Sequence, residues 1–252
     1  MFMEERRNKI LKLLGNQQRI TVKELSKELE VSEATLRNDL KDMEKGGFLK
    51  RTHGGAVLSD LEDNKVNFSV REKVNKAEKH YISTKAEQLI EENQCILIDA
   101  SSTGLELARK IKHLPKRLTI VTNGIYTALE LRDNPDFIVI VIGGVLRAGS
   151  SALESTISGD LLNKINIDTM FTSASGFDFE NGLTDFNMYE VELKKMMVNA
   201  SNRVVALLDH TKFNKKSIAS FAALHDIHMI ITDDDIPNED VEKLKEFNIK
   251  YM

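Results

Sequence analysis

A second cysteine is missing from these 252 residues. Cys95 stands alone, so no disulfide can close within the chain, which fits a reducing, cytoplasmic setting. Long apolar runs are missing too: nothing approaches the roughly eighteen consecutive apolar residues of a membrane-spanning helix. The opening Met-Phe-Met-Glu-Glu-Arg-Arg lacks the apolar stretch of a secretory signal. A large charge of one sign is also absent, with 35 basic against 39 acidic residues and a formal net charge of -4. No Gly-Lys-Ser/Thr closes a phosphate loop. No nucleophile elbow and no Ser/His/Asp spacing is present. His225, Asp226 and His228 come nearest to a metal-ligand cluster, but no second cluster joins them, and they read as surface or strand-end residues. No catalytic residue, metal ligand or cofactor is therefore expected.

What is present suits a packed protein of one small and one medium domain: 41% of residues are hydrophobic and 29% charged. The charge is uneven along the chain. Residues 1–58 carry 12 basic and 9 acidic groups, and the rest carries 23 and 30. The first segment can approach phosphates that the remainder mildly repels.

Residues 6–14 read as a helix whose apolar side is Ile10, Leu11, Leu13 and Leu14. Thr21 and Glu24 form a capping box, with Ile20 and Leu25 as the hydrophobic staple around it. Val22, Leu25 and Leu29 follow on one helical face. A second helix starts at Ser32, stapled by Val31 and Leu36, with a buried stripe of Leu36, Leu40 and Met43. Its other faces show Glu33, Thr35, Arg37, Asn38, Lys41 and Asp42. Two short capped helices joined by a tight link match a helix-turn-helix. The exposed types suit DNA: Arg37 can fork onto guanine, Asn38 onto adenine, and Thr35 and Lys41 onto phosphates or base edges. Gly46 and Gly47 can end the helix in the left-handed conformation. Residues 48–58 then read as two strands around Gly54 and Gly55, with Lys50, Arg51 and His53 near the tip, as in a wing. Any one feature also fits a plain three-helix packing unit, or a winged helix used for protein contacts; their order favours DNA.

Residues 20–39, with Ser32, Thr35, Leu36, Arg37, Asp39 and Leu40, and then Arg51, Thr52, His53, Gly54, Gly55 and Ala56, resemble the DeoR family of bacterial regulators of sugar metabolism. Asn38 departs from the family's usual second Arg. The resemblance implies operator contacts by Thr21, Ser32, Thr35, Arg37, Asn38, Lys41, Lys50, Arg51, His53 and Gly54.

Residues 59–75 are polar and without clear period, and are expected to link residues 1–58 to an α/β domain over 76–252. A helix is expected at about 76–92. Apolar runs at 95–99, 118–122, 137–142, 169–173, 204–209 and 229–232 alternate with helical stretches at 104–112, 124–132, 153–164, 188–201 and 239–247. Such alternation predicts a mostly parallel sheet covered on both faces, with ligands at the carboxyl ends of its strands. Those ends carry Asp99, Ser101, Ser102 and Thr103; Thr122 and Asn123; Gly143, Gly144 and Arg147; Gly176 and Asp178; and Lys212. Hydroxyls at a helix start favour an anion, though Ser and Thr are also ordinary caps. Glu192 and Lys194 lie two apart and cannot act as one pair on a helix, and Lys194 is the better candidate to face a pocket. Glu190 and Lys194 have the i,i+4 spacing of a helix pair, which fits them as well as any chemistry does.

The family resemblance extends here, through Asp99 to Thr103, Thr122-Asn123, Gly143-Gly144, Gly176-Phe177-Asp178, Gly182-Leu183-Thr184, Glu192, Lys194, Asp209, Lys212-Phe213 and Ile231-Thr232-Asp233. Ser101, Gly104, Glu154 and Asn214 depart from it. The resemblance implies a sensor of the ribose-5-phosphate isomerase and CoA-transferase fold type. A sugar phosphate would bind at the strand ends, and the chain would repress sugar-metabolism genes as a dimer or tetramer on double-stranded operator DNA. The competing expectation is a sugar-phosphate isomerase-like enzyme with an appended winged helix.

Overall fold

The computed structural model describes residues 3–17, 19–45, 49–57, 68–147, 150–154 and 159–252. The chain divides into two compact units, Met1–Lys76 and Ala77–Met252.

The first unit holds α1 (Met3–Gln17), β1 (Arg19–Thr21), α2 (Val22–Leu29), α3 (Glu33–Lys45), β2 (Lys50–Thr52), β3 (Gly55–Val57) and α4 (Phe68–Lys73). The capping box forms as its spacing requires. The Thr21 hydroxyl accepts from the Glu24 amide at 3.2 Å, and the Glu24 carboxylate accepts from the Thr21 amide at 2.8 Å. Helix α2 stops because Glu30 turns left-handed, φ 54°. Ser32 then starts α3, its hydroxyl 3.3 Å from the Thr35 amide. Ile10, Leu14, Ile20, Leu25, Leu36, Leu40 and Met43 share one core. The strands pair antiparallel in the order β1-β3-β2, which makes a wing. Gly46 and Gly47 lie outside the described residues.

The expected linker over 59–75 needs correction. Its first part lies outside the described residues, but Phe68–Lys73 form a helix. Val70 enters the core of the winged helix, so apolar burial rather than local polarity decides this segment. The expected helix at 76–92 is shorter, α5 (Lys76–Glu87).

The second unit is built on seven parallel strands in the order β15-β14-β12-β9-β4-β5-β6. These are β4 (Cys95–Ile98), β5 (Leu118–Thr122), β6 (Phe137–Val141), β9 (Thr169–Thr172), β12 (Val204–Leu207), β14 (Met229–Ile231) and β15 (Lys250–Tyr251). Alternate residues face opposite sides. Ile96 and Ile98 pack with α5, α6 (Ser102–Ile111) and α7 (Ile125–Leu131). Leu97 packs with the other layer, which contains α8 (Gly159–Leu162), α9 (Met188–Asn199) and α10 (Asn238–Glu246).

Two features depart from the expected alternation. A small antiparallel sheet forms from β10 (Gly176–Asp178), β11 (Gly182–Asp185) and β13 (Ala219–Ala222). Residues 153–164 are not one helix. Leu153–Glu154 form β8, which pairs with β7 (Val145–Leu146), and the Leu153 amide bonds the Asn123 carbonyl at 2.8 Å. That tertiary bond holds Leu153–Glu154 out of helix, and Gly159–Leu162 form α8. Among the described residues, no helix is long and apolar enough to cross a membrane.

Candidate operator-reading and effector sites

Arg37, Asn38 and Lys41 are exposed on α3 and Thr35 is half-buried beside them, while Leu36, Leu40 and Met43 face the core. Arg37 rests on Glu33 at 2.7 Å, an exposed pair that a phosphate or base can displace at small cost. Lys50, Arg51, His53 and Gly54 are exposed on the wing. Thr21 and Ser32 are spent on capping, so any DNA contact they make is shared with that task. The Gly54 carbonyl accepts from the Val22 amide at 2.8 Å, tying the wing tip to the start of α2. Gly55 is required by space: a Cβ there would stand 2.1 Å from the Ile20 carbonyl oxygen.

One contact in this unit was not foreseen from sequence. Asp39 is buried, with Arg6 Nε at 2.5 Å and Arg7 Nε at 3.3 Å. The Arg-Arg pair of α1 thus fixes α3, the helix that carries Arg37, Asn38 and Lys41. An Asp beside the apolar stripe of α3 was the available signal.

In the second unit the carboxyl ends of β4, β5 and β9 meet around Asp99, which is fully buried. Its carboxylate accepts from the Thr172 hydroxyl at 2.8 Å, the Ser173 amide at 3.0 Å and the Ser101 amide at 3.1 Å. Lys194 reaches in from α9. Its ammonium lies 2.9 Å from Asp185, 3.1 Å from Asp99 and 3.8 Å from Glu190, and it donates to the Ser173 carbonyl at 2.9 Å. Burial alone would lower the Lys194 pKa; Asp185, Asp99 and Glu190 outweigh it and raise the value above that of an ordinary lysine. Three carboxylates surround the ammonium and favour its charged form.

Beside this cluster, Ser101 caps α6, its hydroxyl accepting from the Gly104 amide at 2.9 Å. Ser102 and Thr103 are buried in the first turn of the same helix. Asn123 accepts from the Ala100 amide at 3.0 Å and donates to the Leu153 carbonyl at 3.3 Å. Thr122 accepts from the Gly124 amide at 3.0 Å. Asp99, Ser101, Asn123 and Lys194 are thus brought together through Ala100 and Ser173, and Thr122 lies opposite Ile98 in the sheet register. Thr172, Ser173, Asp185 and Glu190 join them without having been singled out as site residues. Glu190 has the i,i+4 spacing to Lys194 that the sequence shows, and its burial is tertiary.

The remaining expected residues lie apart from this cluster. Gly143 and Gly144 are exposed between β6 and β7. Arg147 stacks over Tyr189 at 4.3 Å and lies 3.1 Å from the buried Glu154. Gly176 packs under the backbone of Lys215, where a Cβ would meet its carbonyl oxygen at 2.4 Å. Asp178 closes the β10–β11 turn, accepting from the Asn181 amide at 2.6 Å and the Glu180 amide at 2.9 Å. Burial would raise the Asp178 carboxyl, but the bonds from Asn181 and Glu180 prevail and hold it below the usual carboxylate range. Lys212 is half-buried in a short 3-10 turn (His210–Lys212) after β12, and no ion pair reaches it among the described residues.

The histidines divide as their surroundings dictate. His225 is exposed, and His228 accepts from the Val204 amide at 3.2 Å. His210, Asp233 and Asp235 bring ligand-type atoms within 4.8 Å of one another. Asp233 already accepts from the His210 amide at 2.9 Å and from the Asp235 amide at 3.0 Å, which accounts for the grouping.

Comparison with known proteins agrees with both units. Residues 6–62 match the DeoR-like helix-turn-helix domain, and residues 74–234 match the DeoR C-terminal sensor domain. The chain belongs to the DeoR family of transcriptional regulators. This DeoR-family protein is 47% identical to the HTH-type transcriptional regulator GolR of Listeria innocua, over 94% of this chain and 92% of that protein. It is 34% identical to the L-fucose operon activator of Haemophilus influenzae over 94% of each. It is 28% identical to the glycerol-3-phosphate regulon repressor of the same organism, over 98% of this chain and 95% of that one. Among solved structures, a D-ribose-5-phosphate isomerase in complex with phospho-erythronic acid aligns at 16% identity. Its TM-score is 0.41, with 55% of this chain and 54% of that chain covered.

Proposed function

We propose that this DeoR-family regulator is a repressor that binds operator DNA through α3 and the wing, and that releases it when a phosphorylated sugar occupies the strand ends around Asp99 and Lys194. The observation that carries the effector half is the buried Lys194–Asp99–Asp185–Glu190 cluster beside the Ser101–Thr103 turn of α6. With every nearby group of Lys194 an acceptor, the cluster suits sugar hydroxyls, which both donate and accept. A phosphate is repelled by the carboxylates, and finds instead the amides at the start of α6. The glycerol-3-phosphate regulon repressor among the relatives supports a phosphorylated effector, and the L-fucose operon activator makes the sign of regulation worth testing.

The test is fluorescence anisotropy on DNA from the protein's own gene neighbourhood, with and without a panel of sugar phosphates. One member is expected to weaken selective binding by roughly 5–150-fold, the range of about 1–3 kcal/mol of coupling. Arg37→Ala should weaken operator binding and leave effector binding intact. No selective DNA binding under any condition would sink this reading, and isomerisation of the same panel would then be assayed.

A further inference from the structure

The two edges of the seven-stranded sheet differ. At one edge lies β15, two residues long and carrying Lys250, which is how natural sheets blunt an edge. At the other lies β6, five residues without one charge: Phe137, Ile138, Val139, Ile140 and Val141. Among the described residues β6 pairs only with β5. The direction of its free backbone follows from two bonds. The Ile142 amide bonds the Thr122 carbonyl, and the Asp136 carbonyl accepts from the Leu118 amide. Even-numbered residues therefore face β5, and the amides and carbonyls of Val139 and Val141 point outward. Ile138 is 64% exposed and Val141 42% exposed, unusual values for a strand this apolar. Tyr126 and Leu129 on the neighbouring α7, and Val145 and Leu146 just beyond β6, are also about half bare or more.

We propose that β6 is the self-association edge of this protein: two copies join antiparallel across a two-fold axis at Val139, making one continuous sheet of both sensor domains. The occupant is a second copy for three reasons. An antiparallel pair centred on Val139 is self-complementary: Val139 stands opposite itself and exchanges amide and carbonyl with its copy, and Phe137 stands opposite Val141, whose outward amide meets the Phe137 carbonyl while the Phe137 amide stays on the Asn134 carbonyl of its own chain. The strand carries no charge for an oppositely charged partner to read. The exposed apolar side chains offer on the order of 500 Å² per chain, and two copies would bury on the order of 1,000 Å² before any backbone is counted, where specific interfaces begin. A dimer also supplies the paired winged helices that two operator half-sites need, and in that use the inference rests on the proposed function.

The full-length chain is tested by sedimentation equilibrium without DNA, so the result does not depend on the operator reading. The parent is expected at twice the chain mass or an even multiple. Ile138→Lys combined with Val141→Lys is expected to halve the assembly while retaining its thermal transition. A second variant covers misfolding of the first: Val139→Cys in a Cys95→Ser background, oxidised and run without reductant. Opposed residues in such a pair stand about 5.5 Å apart at Cα, within disulfide reach, so a covalent dimer is expected. A monomeric parent overturns the proposal, as does a double-lysine variant that folds at unchanged mass. Failure of the cysteine variant to crosslink overturns the two-fold at Val139.

Discussion

At the residue scale the decisive group is Lys194. Three buried carboxylates lie within 3.8 Å of its ammonium, so the cluster is stable only as a set. Lys194→Met removes the one positive charge and leaves the acids uncompensated. It should cost about 3–5 kcal/mol of sensor stability, the usual penalty for breaking a buried pair, and abolish the effector response. Urea unfolding followed by a sensor-domain signal checks this; a variant as stable as the parent would mean the carboxylates take up protons instead. The pH dependence has a definite sign. The folded-state value is raised, so the contribution is full below the unfolded lysine value of 10.5 and is lost only as pH climbs through the higher folded value. Lys194 therefore gives no stability loss on the acid side of that window. Two departures from the family pattern also have local reasons. A side chain at Gly104 would place a Cβ 2.7 Å from the Asp99 carbonyl oxygen, so glycine lets α6 start against that strand. Asn214 holds a left-handed φ of 54° and bonds Asp240 at 2.9 Å.

At the element scale the wing depends on its two glycines unequally. A Cβ at Gly54 would meet no atom within 4 Å, whereas one at Gly55 would strike the Ile20 carbonyl oxygen at 2.1 Å. Gly55→Ala must push β3 off β1, and is expected to cost about 1–3 kcal/mol, as overpacking does. Gly54→Ala should stay within about 0.5 kcal/mol of the parent. Thermal unfolding of the two variants side by side gives the comparison, with the transition falling only for the first. Equal behaviour would show that β1 is not held as closely as its pairing implies. Capping, stapling and apolar period wrote α2 and α3 legibly in the sequence, because those signals act within four residues. The β10–β11–β13 sheet and the β7–β8 hairpin were not legible: their strands are only two to four residues long, too short to show a period, and β13 pairs with β11 from far along the chain.

At the scale of the whole molecule, function follows from an uneven charge. The basic groups of the reading unit are exposed on α3 and the wing, while the rest of the chain is acidic. Operator affinity should fall with salt, and Lys50→Ala should reduce the slope of log K against log salt by about 1 per half-site with little change in sequence preference. An unchanged slope in the variant would take Lys50 off the phosphate backbone.

The sequence by itself determined the two domain types, the capped helix pair, the alternating strands and most of the residues at the strand ends, because each is a local pattern of period, cap or turn. The tertiary structure alone decided which of those residues meet. It buried Glu190 and Asp185 against Lys194, turned Asp39 onto Arg6 and Arg7, spent Asp178 on a turn, and drew Phe68–Lys73 out of the expected linker into a core. Burial and partner choice arise from segments far apart in the chain, and no window of neighbouring residues encodes them.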